Sequence, residues 1–179
     1  MKTRPRLLRR LVPAVVVVAT TAAGMAAPAS AESGEQRFRI SFEGPFTEAV
    51  STDWPVRATG VVSGAGVEKF ISEDPGSSPG TVVSVIELVF ADGSIRVELR
   101  GTVEEEEAFG PNDCHHRASS TGTYEVLGGT GEYAGATGSG TARSRGTLLV
   151  PPSGDGCDFS RCRLVSHIDM NGSIAIPES

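Results

Sequence analysis

The sequence predicts an all-β protein whose strands close into an eight-stranded antiparallel barrel. Three observations carry that expectation. Several segments alternate apolar and polar residues with period 2, the signature of half-buried strands. Glycine supplies 21 of the 148 residues after position 31. That is about double the usual share of ~7%, and without a collagen period it marks tight turns and close-packed strands and leaves no room for long helices. Eight such segments in about 140 residues match a closed barrel of the size that just holds one small ligand. A two-sheet sandwich is the alternative architecture.

Residues 1–31 read as a secretory leader. Lys2, Arg4, Arg6, Arg9 and Arg10 form a cationic start with no acid, and residues 11–27 are apolar and rich in Val and Ala. Ala29-Ser30-Ala31 then offers a small-x-small cleavage site. A membrane anchor is the alternative, but the apolar run of 17 residues holds Pro13 and Gly24 and sits at the lower edge of a spanning length. The leader has no cysteine to carry a lipid. Cleavage leaves one domain, residues 32–179, secreted to the extracellular space with no further membrane segment. Its 11 basic and 22 acidic residues give −11, against −6 for the whole chain. That balance excludes the broad cationic face that nucleic acid or an anionic membrane requires.

The elements follow in order. Residues 37–43 alternate, with Phe38, Ile40 and Phe42 on the apolar face. Residues 56–63 and 67–72 are shorter strands divided by Gly64-Ala65-Gly66. Residues 81–90 are rich in Val and Ile, and Ala91-Asp92-Gly93 turns them into residues 94–104 as a hairpin. There Ile95, Val97, Leu99, Gly101 and Val103 share one face, while Arg96, Glu98 and Arg100 take the other.

In residues 117–127 the inward face is Ala118, Ser120, Gly122, Tyr124 and Val126. In residues 137–150 it is Gly138, Gly140, Ala142, Ser144, Gly146 and Leu148. Leu164, Ser166, Ile168 and Met170 mark the last strand. The sixth and seventh strands therefore bring almost no bulk inside. A cavity is expected on their side, lined by Ser120, Tyr124, Gly140, Ala142, Ser144 and Ser166. Phe38, Ile40, Phe42, Ile95, Val97 and Leu99 face it. The alternative is that these larger side chains reach across and fill the space.

The segment from Gly128 to Gly140 is the most distinctive. A dinucleotide-binding loop should follow an early strand and open a helix. This one falls late and runs into a strand, so no nucleotide cofactor is expected, nor any other. A structural turn fits better. Gly128 and Gly129 end one strand, and Thr130 caps a single helical turn through Gly131. Tyr133 then folds over the barrel end, and the chain passes Gly135 into the next strand at Thr137.

The run Gly122-Thr123-Tyr124, followed by Val126-Leu127-Gly128-Gly129-Thr130-Gly131-Glu132-Tyr133-Ala134-Gly135-Ala136-Thr137-Gly138-Ser139-Gly140, resembles the signature of small secreted actinobacterial proteins with an allene oxide cyclase-like barrel. Plant dirigent proteins have a similar element. The hairpin Val89-Phe90-Ala91-Asp92-Gly93 also resembles the bacterial set. About 20 residues match well, and the strand layout matches the rest loosely. The resemblance implies an eight-stranded barrel with a central cavity. The plant cyclases isomerise a fatty-acid epoxide and dirigent proteins steer radical coupling, but the catalytic residues of neither map onto positions here. One fold hosts many functions.

The reactive side chains are few. Cys114, Cys157 and Cys162 are an odd number in an exported chain, so one disulfide and one free thiol are expected. The strand ends carrying Cys114 and Cys157 share a rim, which favours that pair, with Cys157–Cys162 next. His115 and His116 are adjacent on a strand and point to opposite faces, so they do not converge on one ion, and no metal is expected. Glu104 to Glu107 read as a solvated strand end that deters edge pairing. No Gly-x-Ser-x-Gly elbow is present.

Three functions compete. The first is a secreted binder of a small apolar molecule. The second is a cyclase or isomerase working by cavity shape and a few polar groups. The third is a secreted interaction protein with a filled barrel.

Overall fold

The computed structural model describes residues 31–49, 53–76, 78, 80–154 and 156–178. The expected leader, residues 1–30, lies outside them. The strands are β1 (Ala31–Pro45), β2 (Trp54–Gly60), β3 (Gly64–Pro75), β4 (Thr81–Phe90), β5 (Gly93–Phe109), β6 (His115–Gly129), β7 (Thr137–Leu149), β8 (Pro152–Ser153), β9 (Gly156–Cys157) and β10 (Arg163–Pro177). Eight of them close a barrel in the order β1-β10-β7-β6-β5-β4-β3-β2, every neighbour antiparallel. β8 and β9 form a small separate hairpin in the connection from β7 to β10.

The strands run longer than their alternation predicts. β3 absorbs Gly64-Ala65-Gly66 instead of being cut off by them, and β10 continues to Pro177. β2 ends at Gly60, because Gln36 draws the chain out of line. Its amide accepts from Val62 N at 2.9 Å and donates to Val62 O at 3.0 Å. Three extra residues break the register: Ile71 in β3, Glu104 in β5 and Leu127 in β6. Each bulge flips the alternation beyond it.

At one end of the barrel lie the short connections β2–β3, β4–β5 and β6–β7. The glycine turn seals this end. Gly131–Tyr133 forms one helical turn, with Gly131 at φ +60° and Gly135 at φ +75°. A β-carbon at Gly131 would collide with Asp92 O, so the turn sits on the β4–β5 hairpin. Thr130 does not cap the turn with its side chain. Its hydroxyl instead accepts from Ser94 N at 3.1 Å, which ties the two connections together. Tyr133 folds over the end, edge-on to Phe90 at 6.0 Å.

Inside this half the barrel is solid. Phe38, Ile40, Leu88, Ile95, Val97 and Met170 are fully buried in one cluster. Tyr124 supplies the bulk that its neighbours lack. A β-carbon at Gly140 would stand 2.6 Å from Tyr124 Cε1, and one at Gly172 would stand 2.8 Å from Tyr124 Oη. The ring therefore lies across β7 and β10 in space left by two glycines.

At the other end, β1, β3, β5 and β7 finish and the remaining connections run. Cys114 and Cys157 form the disulfide there, closing a span of 43 residues, and Cys162 is a buried free thiol. Beyond Val103, whose N–H still donates to Gly80 O at 3.0 Å, β5 pairs only with β6 among the described residues. Glu104 and Glu107 stand on that stretch, Glu104 held by Thr121 at 2.5 Å and Glu107 by Arg117 at 4.0 Å.

Two expected outcomes follow. Gly140→Ala and Gly172→Ala should each cost about 1–3 kcal/mol or more, because the new β-carbon meets both the neighbouring strand's backbone (Asn171 O and Ser139 O, respectively) and the Tyr124 ring. Gly146→Ala should cost under about 0.5 kcal/mol, since the nearest side-chain atom to its β-carbon is 3.8 Å away. Chemical denaturation of the three variants checks the contrast, and equal losses would contradict the packing. Thiol titration of unreduced, unfolded protein should find one thiol. Removal of the disulfide as Cys114→Ser/Cys157→Ser should cost about 2–4 kcal/mol.

Candidate functional site

The half of the barrel near the disulfide is hollow. A cavity of about 270 Å³, partly open to solvent, lies there, bounded by Glu73, Val82, Ser84, Leu99, Arg100, Gly101, Val103, Ser120, Thr121, Gly122, Thr123, Ala142, Ser144 and Ile168. Its origin is the set of small inward residues on adjacent strands. Register places Ser120 opposite Ser144, Gly122 opposite Ala142 and Gly101 opposite Gly122. Phe42, the one large ring on the inward face of β1 at this level, does not reach across. It lies against Gly44 and stacks on Trp54 at 4.9 Å.

The wall is apolar with a few polar groups, the usual composition of a small-molecule site. The hydroxyls of Ser120 and Ser144 bond each other at 2.7 Å. Ser84 donates to Glu73 at 3.2 Å. Val103, half-exposed, is the apolar side chain at the mouth of the cavity.

The structure divides the residues proposed from sequence. Leu99, Ser120, Ala142 and Ser144 line the cavity. Phe38, Ile40, Ile95, Val97 and Tyr124 belong to the solid half, and Gly140 serves as the seat of Tyr124. Phe42 packs on Trp54, and Ser166 is buried beside the hollow half between Phe42 and Gly146 in register. Gly128, Gly129, Thr130, Gly131, Tyr133 and Gly135 sit at the sealed end, away from the cavity.

Sequence reasoning missed the carboxylates. Glu68 lies on β3 between Trp54 of β2 and Leu88 of β4, on the inward face. Only 6% of its surface is exposed, and among the described residues no hydrogen bond reaches it. Burial, and then the charge of Asp53, push its carboxyl up to about 7. Glu73 turns inward because of the Ile71 bulge; without that extra residue, strict alternation would aim it at solvent. The short apolar stretch at residues 67–72 gave no sign of the bulge.

Other groups are occupied structurally. His115 Nδ1 accepts from Val150 N at 3.2 Å, and its ring meets Phe109 edge-on at 5.3 Å. Asp169 pairs with Arg39 at 2.9 Å on the outer surface. No group of three or more His, Cys, Asp or Glu is placed to hold a metal ion among the described residues. Among these residues no helix is long and apolar enough to cross a membrane. A larger depression of about 910 Å³ runs over the outside of β6 and β7, flanked by Arg117, Arg143 and Arg145. Its lining is mostly polar and charged, whereas the cavity inside the barrel is mostly apolar, so the inner cavity is the stronger candidate.

No protein-family model, no curated protein and no solved structure matches the chain.

The state of Glu68 sets a pH dependence. Its carboxyl keeps its proton in the folded protein up to about pH 7, while the unfolded chain releases it near pH ~4.3. Folding therefore holds more protons across that window, and stability falls as pH rises through it, levelling above about pH 7. Glu68→Gln should match the wild type near pH ~4 and exceed it by about 1–3 kcal/mol near pH ~8. Melting temperatures across that range check it, and a difference that ignores pH would contradict the assignment.

Proposed function

We propose that this protein is a secreted binding protein that holds a small molecule in the open half of its barrel. The observation that carries the reading is the hollow half itself, walled by strands, open on one side, and lined mainly by apolar atoms, with polar groups from Ser84, Ser120, Ser144 and Glu73 between them. Three further features support it. The chain starts with a leader-like segment. A disulfide fits an oxidising compartment. The glycine-rich run resembles the secreted actinobacterial barrel proteins. The solid half gives the site a rigid base, which lowers the ordering cost of binding.

The open half counts against a barrel that acts only as a solid interaction surface.

Filling the cavity tests the binding function. A neutral solvatochromic dye should bind the wild type with a blue-shifted emission. Ser144→Phe should abolish that binding while costing less than about 1 kcal/mol of stability, because its side chain enters free space. Thr141→Phe, on the outward face of the same strand, should leave binding intact. A wild type that binds no dye would overturn the proposal.

A further inference from the structure

We infer that the outer face of β6 and β7 is a second binding surface, one that takes an acidic polysaccharide, a sugar chain carrying carboxylates or sulfates. It is independent of the cavity and uses the opposite side of the same two strands.

The first ground is where charge falls. After residue 31, acids outnumber bases 22 to 11. Yet β7 has no acid, and neither has β6 from His115 to Tyr124, while the two stretches hold Arg117, Arg143 and Arg145. All three stand exposed and flank the depression of about 910 Å³. Alternation puts Arg143 and Arg145 on the same side of β7, and register sets Arg117 opposite Thr147, two residues further along. The three side chains thus follow one diagonal along the strands, at steps of about 7–8 Å.

The second ground is that the two central guanidiniums are unused. Among the described residues neither Arg143 nor Arg145 has an ion pair or a side-chain hydrogen bond. The acids beside them are engaged elsewhere. Glu104, the one acid on the wall of the depression, accepts from Thr121 at 2.5 Å. Asp169, level with Arg143 on β10, pairs with Arg39 on its far side at 2.9 Å. Arg117 lies over Phe109, 5.0 Å from the ring centre, with Glu107 at 4.0 Å. A free guanidinium offers a planar fork of donors that matches the paired oxygens of an oxyanion.

The third ground is what stands between the arginines. Ser119, Thr121 and Thr123 on β6 face Arg145, Arg143 and Thr141 on β7. Each hydroxyl both donates and accepts, which suits the hydroxyls of a sugar. The lining holds no aromatic ring. Single-stranded nucleic acid is held by stacking on such rings, and a duplex calls for many phosphate contacts. A sugar polymer of sparser charge is the better fit. Acids elsewhere on the chain do not forbid it, because charges more than about 10 Å away are largely screened at ~0.1 M salt.

Affinity electrophoresis through gels that contain one polymer tests the inference, with mobility referred to a polymer-free gel. Polygalacturonate and dextran sulfate should retard the protein, and neutral dextran should not. Retardation by only one of the two supports the inference and names the anionic group. It should fade as salt rises from about 0.05 to about 0.3 M. Arg143→Gln/Arg145→Gln should weaken the affinity about tenfold or more, while its melting temperature and its dye binding stay those of the wild type. Arg57→Gln, on the outside of β2, should change the affinity less than about twofold. The inference is overturned if neither acidic polymer retards the protein, if neutral dextran retards it equally, or if the double variant binds like the wild type. Oligothymidylate binding as tightly as polygalacturonate would put nucleic acid in place of sugar and overturn it too. None of these results bears on the dye, so the cavity reading stands or falls separately.

Discussion

The ring of Tyr124, laid across Gly140 and Gly172, determines where the barrel is solid and where it is hollow. Eight strands enclose more space than their side chains fill when two neighbours carry only Gly, Ala and Ser inside. In the sealed half the deficit is met from the same wall. Tyr124 bends over the glycines, and Phe38, Ile40, Leu88 and Met170 close against it. No equivalent ring exists higher on β6, where Ser120 and Ala118 take the inward positions. Phe42 turns aside to Trp54. The cavity is therefore a consequence of where one aromatic residue falls in the alternation.

That division also places the polar groups. The sealed half accepts one unpaired polar atom among the described residues, Tyr124 Oη, whose burial pushes its ionisation upward. Glu68 lies at the boundary and holds its proton near neutrality because water is remote. Glu73 and the serines lie beyond it, where solvent reaches them. Arginines stay on the outer surface, several of them in exposed pairs such as Arg39–Asp169 and Arg163–Glu43, which contribute little to stability. The barrel is thus stabilised by apolar packing at one end and by a disulfide at the other, where packing is thin.

Much of this was legible in the sequence. The alternation of Ile95, Val97 and Leu99 against Arg96, Glu98 and Arg100, the Ala91-Asp92 turn and the density of glycine led to a closed all-β barrel of eight strands. The shared rim led to Cys114–Cys157. What was not legible had two physical sources. Bulges at Ile71, Glu104 and Leu127 have no local residue signature, and each reverses every face beyond it, so Glu73 was invisible as an inward group. The direction in which a side chain leans was the other. Period 2 places Tyr124 and Phe42 inside alike, but only their neighbours decide that one crosses the barrel and the other stacks along its wall.

The central claim is that one half is packed and the other open. Methyl-resolved NMR with a small neutral nitroxide in solution measures it most directly, because broadening reports how closely the probe approaches each side chain. Expected is strong broadening at Val103, with clear broadening at Val82, Leu99 and Ile168, while Ile40, Leu88, Ile95 and Ile174 remain sharp. Equal protection of both sets would mean a filled barrel and would contradict the claim.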